Sequence, residues 1–307
     1  MRQKAPGLSL GSYCALFGIS RQAYYKAHLH AEKTSIAHVV ILMLVAEFRN
    51  AVPMLGTRKL LHLLMPELIN HGIKLGRDLL FDLLRFHGLL IRRRKRMVKT
   101  TDSHHWYRKY PNLITEVVLT ASNQLWMSDI TYIRTLEGFS YLSLITDGYS
   151  RKIVGYALHG TLEAIGCIAA LNMAVLGRKH KSPFVLIHHS DRGIQYCSQN
   201  YTAILNTEHI AISMTQSGSP YENALAERVN GIIKNEFLPK KVYRNHKEAS
   251  LKLAEIIGSY NGTRPHASID YLTPNQAHEM TGNINKRWKK YPRRKAGKEV
   301  EKNDAEI

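Results

Sequence analysis

Gln124 to Thr135 reads QLWMSDITYIRT, and two further segments, FSYLSLITDGYS (139–150) and KIVGYAL (152–158), follow at short intervals. All three are rich in Ile, Leu, Tyr and Val, and they are joined through Glu137-Gly138 and around Ser150-Arg151. That spacing predicts an antiparallel three-stranded meander. A helical stretch at 161–176 separates it from PFVLI (183–187), a nearly all-apolar run suited to a buried parallel strand. A short helix at 198–206, a strand at 210–214 and a last helix complete the pattern. The order is β-β-β-α-β-α-β-α, a mixed five-stranded sheet of the α/β class.

The last helix lies in QSGSPYENALAERVNGIIKNE, Gln216 to Glu236. Ser219 fits its N-cap, Pro220 its first position, and Glu222, three residues after the cap, completes a capping box. Asn223, Glu227, Asn230 and Lys234 share one polar stripe, while Leu225, Val229, Ile232 and Ile233 mostly occupy the other side. Alone, this is a surface helix with a solvated face.

Three carboxylates give it another meaning. Asp129 sits inside an apolar strand, where desolvation is costly unless something positive compensates it. Asp191 follows the fourth strand directly, in HHSDRG, where α/β sheets place ligands. Glu227 lies on the last helix. With the first and fourth strands as parallel neighbours, Asp129 and Asp191 come together and the helix adds Glu227. Carboxylates so gathered repel unless cations join them. Two Mg²⁺ (or Mn²⁺) ions, roughly 3.5–4 Å apart, would neutralise them and activate a nucleophile. Hard oxygen donors without Cys/His ligand spacing favour these ions over Zn²⁺. His188 and His189 read as packed or hydrogen-bonded side chains, Asp147 as a turn-ordering residue, and Arg192 as either a phosphate contact or a structural partner.

The flanks point to a polyanion. Net charge is +19, from 43 basic and 24 acidic residues. Residues 1–110 hold 19 Lys/Arg against 6 Asp/Glu, residues 111–238 hold 9 against 10, and residues 239–307 hold 15 against 8. A near-neutral centre between basic flanks fits a reaction module held on double-stranded DNA. A membrane is not expected as a partner: the longest apolar run, Val39 to Ala46, is too short to span a bilayer, and no long basic amphipathic helix stands out. Cys14, Cys167 and Cys197 are scattered without a CxxC pair, which argues against disulfide and zinc-finger frameworks and fits a reducing, cytoplasmic setting close to the nucleoid.

Residues 1–50 read as a helix-turn-helix-like segment. Gly18 supplies the turn, Ser20 caps the second helix, and Arg21, Gln22 and Tyr24 stand at its start. A separate, buried apolar helix is expected over 35–48. Residues 51–110 read as a second all-α DNA-binding module, broken at Gly72, with Leu60, Leu63, Leu64, Leu79, Leu83 and Leu84 inward and Arg58, Lys59, Lys74 and Arg77 available to phosphates. It ends in a basic strap that includes Arg92, Arg93 and Arg94. The catalytic core spans 111–240. A helical extension spans 241–282, with Leu251, Leu253, Ala254 and Ile257 inward, and a basic disordered tail spans 283–307.

WMSDITYI, HHSDRGIQY and QSGSPYENALAERVNGIIKNE together resemble the three catalytic blocks of DDE transposases and retroviral integrases, whose fold is ribonuclease H-like. The 35 residues between Asp191 and Glu227, and Lys234 seven residues after the glutamate, match that superfamily's pattern. The stretches 56–90 and 260–279 are similar to the flanks of bacterial insertion-sequence transposases made from two reading frames, this chain resembling the second-frame protein. The resemblance implies that Asp129, Asp191 and Glu227 are the metal-binding catalytic triad and that Lys234 contacts DNA near the reacting phosphate. It also implies a homo-oligomer on DNA and a first-frame product as a further partner. Two departures are visible: there is no His-His-Cys-Cys zinc module, and Ile194 stands where many relatives have a small polar residue. The rival readings are a ribonuclease H-like nuclease or resolvase and a non-catalytic DNA-binding regulator.

Overall fold

The computed structural model describes residues 9–91, 107–178, 184–216, 222–238 and 242–287. Five strands form one sheet in the order β3-β2-β1-β4-β5. The expected meander is present as β1 (Leu125–Thr135), β2 (Gly138–Asp147) and β3 (Ile153–His159), antiparallel throughout. On the other side of β1, β4 (Ile187–Ser190) and β5 (Ala211–Met214) run parallel to it. This is the mixed, ribonuclease H-like sheet.

The fourth strand lies later than PFVLI predicts. Phe184 and Val185 are exposed, Pro183 is outside the described residues, and the strand itself is IHHS. Its polar side chains tolerate burial because they are bonded. His188 Nε2 meets Ser128 Oγ at 2.7 Å and Tyr201 Oη at 2.9 Å, and His189 Nδ1 meets Ser213 Oγ at 2.8 Å.

One face of the sheet is covered by α5 (Ala164–Leu176), a one-turn α6 (Ile194–Cys197) and α7 (Gln199–Thr207). Trp126 and Ile145 pack there against Ala170, Leu171, Tyr201 and Leu205. The approach is close: a Cβ at Gly155 would lie 2.1 Å from the carbonyl oxygen of Ala170.

The other face receives α8 (Ala224–Ile232), which runs on into a π-helical turn (Ile233–Phe237), and α9 (His246–Gly262). The start of α8 differs from the capping box read in the sequence. Ser219 and Pro220 lie outside the described residues, and the helix opens after Asn223. The Glu222 carboxylate accepts from Gln216 N at 2.6 Å, and Asn223 Nδ2 donates to Ser128 O at 3.1 Å. These side chains hold the approach to β1 rather than cap the helix. In α9 the inward residues are Ala249, Leu253, Ile257 and Tyr260, while Leu251 and Ala254 are exposed. The last helix, α10 (Pro274–His278), starts on a complete Thr273/Gln276 capping box.

The N-terminal helices are α1 (Leu10–Leu16), α2 (Arg21–Ala51), α3 (Thr57–Asn70) and α4 (Arg77–Phe86). Gly18 adopts φ 64° in the first turn, and Ser20 Oγ accepts from Ala23 N, as the sequence predicts. The second helix does not stop, however. It runs for 31 residues and absorbs the helix expected at 35–48, because neither Gly nor Pro interrupts 21–51. Nor is that apolar stretch buried all round: Ile41 and Val45 are inside, whereas Ile36, Val39 and Met43 are exposed. By length and composition alone α2 could cross a membrane, yet one of its faces is part of the protein core. In α4 Leu80, Leu83 and Leu84 are buried, whereas Leu79 is exposed.

Ile41, Leu60, Leu64, Leu80 and Leu84 share one apolar cluster with Leu142 and Leu144 of the sheet, Val229 and Phe237 after it, and Leu253 of α9. An ionic network crosses this junction. Glu236 of the π turn takes two bonds from Arg264, at 2.7 and 2.8 Å, and one from Lys59 of α3 at 3.1 Å. Lys59 is therefore spent on the protein interior rather than on phosphate. Burial pushes the Glu236 carboxyl up, but Arg264 and then Lys59 more than reverse this, leaving it below its usual range. Burial and the neighbouring Arg264 outweigh Glu236 at Lys59 and bring its ammonium down to about 8. The arginine is only 1% exposed. Glu236→Ala would strand two buried cations, and thermal or urea unfolding should show a loss of about 3–5 kcal/mol; a loss below about 1 kcal/mol would mean that water already screens the network.

Candidate active site

Asp129 occupies the middle of β1 on the face covered by α8. The parallel register pairs Trp126 with His188 and Met127 with His189. Continued by two residues, it sets Asp129 level with Asp191, which directly follows β4. Side chains two apart on a strand share a face, so the two carboxylates lie on one side of adjacent strands. Glu227 enters from the first turn of α8.

Each acid is held differently. Asp129 Oδ1 accepts from Ile130 N at 2.9 Å, and its Oδ2 accepts from Asn230 Nδ2 at 2.9 Å. Asp191 Oδ1 accepts from Gly193 N at 3.0 Å, closing the Asx turn that Asp-x-Gly favours. A Cβ at Gly193 would sit 3.0 Å from that same oxygen, so the glycine leaves the carboxylate room.

Asp129 reports the electrostatics. Burial, then repulsion from Asp191, raises its pKa to about 7; the bond from Asn230 opposes this, and Glu227 adds a smaller repulsion. Asp191 and Glu227 thus both act on Asp129. Among the described residues no three His, Cys, Asp or Glu side chains stand close enough to hold a metal, so the acids are neighbours that have not closed on a common point.

Lys234 comes from the π turn. Its Nζ lies 3.8 Å from the centre of the Tyr132 ring, a cation–π contact, and burial lowers its pKa while Asp129 raises it. The extra residue in that turn lets Lys234 face β1 while Glu236 reaches Arg264. Arg192 donates through Nε to Thr215 O at 2.6 Å. Asp147 orders the turn after β2, accepting from the backbone of Asn123, Tyr149 and Ser150. Arg21 and Gln22 open α2 in the N-terminal region and are exposed; α2 packs on α1 and α3, away from the carboxylates. Arg92, Arg93 and Arg94 lie outside the described residues.

The stripe on α8 places Asn223 and Asn230 on Glu227's face without saying what they touch. In the structure both are buried against β1, Asn223 on the Ser128 carbonyl and Asn230 on Asp129 itself. The signal was the spacing: Asn230 follows Glu227 by three residues and faces the same way.

An integrase core domain model matches residues 120–220, and a second one matches residues 208–274. The chain is 37% identical to an uncharacterized 31 kDa protein of insertion element IS600 from Shigella sonnei, over 85% of this chain and 95% of that protein. It is 30% identical to the transposase for insertion sequence element IS629 from the same organism, over 69% of this chain and 70% of that one. The chain belongs to the integrase-core transposases of bacterial insertion sequences. The matched core of this family member contains Asp129, Asp191 and Glu227, together with Asn230 and Lys234.

The donor set fits a hard divalent cation. The acids that act on Asp129 offer hard oxygen donors, though they do not meet at one point; His188 is committed to Ser128 and Tyr201, and the Oδ1 atoms of Asn223 and Asn230 are buried without a hydrogen-bond partner. The raised pKa of Asp129 also makes a stability prediction without metal. A carboxyl whose folded pKa exceeds its unfolded value contributes its stability at low pH and loses it as pH rises through about 7. In EDTA, Asp129→Asn should therefore be more stable than wild type at pH 8, by on the order of 2–4 kcal/mol, and the gap should close toward pH 4. Equal urea midpoints at pH 8 would show that Asp129 is not strained there.

Proposed function

We propose that this transposase cleaves DNA at the ends of its element and joins the freed 3′-hydroxyl to a target, using Asp129, Asp191 and Glu227 to hold two divalent ions. The observation that supports this reading is a buried Asp129 in the central strand with its pKa raised by Asp191 and, less, by Glu227, acids brought to it from two other parts of the chain, in a member of this family. When bound, Mg²⁺ or Mn²⁺ supplies Lewis-acid stabilisation of the phosphoryl transition state and a more acidic attacking hydroxyl. Water is the first nucleophile and the 3′-hydroxyl the second. Both reactions use the same site and form no covalent bond to the protein.

The residues divide the work. Asp129 in β1 and Asp191 just past the end of β4 would form one wall, and Glu227 would close the site from α8. Asn230 is a positioning residue that fixes one oxygen of Asp129 and opposes its protonation. Lys234, restrained over Tyr132, offers an ammonium to the DNA backbone beside the acids. Arg21 and Gln22, with Arg92, Arg93 and Arg94 of the basic strap, contact duplex DNA. The active form is an oligomer on DNA, and a first-frame product joins it where the element encodes one.

Purified protein, labelled element ends and Mg²⁺ or Mn²⁺ test this directly. Asp129→Asn, Asp191→Asn and Glu227→Gln should each reduce cleavage and strand transfer by at least about 1,000-fold while DNA binding persists. Asn230→Ala should retain measurable activity, with its pH optimum displaced upward because the Asp129 proton is held more tightly. Normal turnover by any one of the three acid variants would remove that residue from the triad.

A further inference from the structure

We propose that a second copy of this chain docks antiparallel along the exposed apolar face of α2. Leu29, Ile36, Val39 and Met43 are between 55% and 67% exposed. With Tyr25 before them and Ala46 after them, also exposed, they recur at alternating steps of four and three residues, with Glu32 filling the one remaining place. At about 100° per residue these positions form a single line on the side opposite Ile41 and Val45, which enter the core. A line that keeps a seven-residue repeat over three turns or more is the seam of a two-helix coiled coil. A helix that only covers its own domain needs no such second stripe.

Charge selects the occupant and its direction. A parallel, in-register partner would set Glu32 against its own copy within the seam and leave Lys26 and Lys33 flanking the same residues. An antiparallel partner, with Ile36 opposite Val39 of the other copy, sets Glu32 against Met43. It also brings Lys26 beside Glu47 of the other copy, once at each end of the pair. The sequence is thus complementary to itself in one direction. A lipid surface is a poorer match: the same helix carries Arg21, Lys26, Glu32, Lys33, Glu47 and Arg49, and Arg49 is tied to the Leu89 carbonyl at 2.8 Å. In the antiparallel pair the two starts of α2, with Arg21 and Gln22, would lie about 50 Å apart along the axis, at 1.5 Å per residue, one for each of two DNA segments.

This inference deepens the oligomeric part of the functional reading and rests on it for its purpose. Its test needs neither DNA nor metal, so its failure and that of the carboxylate triad are distinguishable. Sedimentation equilibrium of the full chain should show a dimer. Ile36→Glu and Glu47→Lys, each folded by circular dichroism, should both weaken it, Ile36→Glu by at least about 100-fold. Lys26→Glu combined with Glu47→Lys should restore it, and only the antiparallel pairing predicts that rescue. In the double variant Ile36→Cys with Val39→Cys, disulfide trapping should link the two copies. A monomer at all concentrations, a dimer indifferent to Ile36→Glu, absence of charge-swap rescue, or flotation of monomer with anionic phospholipid vesicles would each overturn the proposal.

Discussion

Carboxylates on adjacent strands repel across a medium that screens them poorly, and the core is arranged to sustain that repulsion. Asp129 lies within β1, level with Asp191 beyond the end of β4, and it feels Glu227 from α8. Left to itself, such a cluster relaxes by protonation or by moving apart. Here the backbone cannot move far: β1 is the central strand, paired on both sides and covered on both faces. Asn230 then holds one Asp129 oxygen in place with a hydrogen bond that favours the ionised form.

Much else follows from keeping α8 on that face. Ala226 packs on Leu125 and Met127, Asn223 grips the Ser128 carbonyl, and the π turn changes the helix register just beyond the site. That change lets one short segment look two ways, with Lys234 toward β1 and Glu236 toward Arg264 and Lys59. The Glu236 network joins the π turn after α8 to α3, and the N-terminal helices share an apolar cluster with the core rather than trailing from it.

The strand order was legible in the sequence because apolar segments with short connections have a local signature. The acids stood out there as carboxylates in settings that disfavour them, and in the structure Asp191 and Glu227 lie near enough to act on Asp129. Less local features were not legible. The fourth strand was misplaced because IHHS looks too polar for a core, and its fitness depends on Ser128, Tyr201 and Ser213, which are distant in the chain. The start of α8 was read too early because Glu222, which suits a capping box with Ser219, instead binds Gln216 N, while Asn223 binds β1. Lys59 looked like a phosphate contact because its partners, Glu236 and Arg264, lie about 180 and 200 residues further on. The continuity of α2 and its second apolar stripe were hidden by reading 35–48 as a helix of its own.

The central claim is that Asp129, Asp191 and Glu227 form one cation site. Its most direct measurement is titration of the protein with Mn²⁺, following free ion by electron paramagnetic resonance without DNA. Wild type should bind saturably, more weakly as pH falls below about 7, where Asp129 takes up its proton. Asp129→Asn, Asp191→Asn and Glu227→Gln should each lose that binding while remaining folded. Binding of equal strength in wild type and all three variants would place the metal elsewhere and contradict the account.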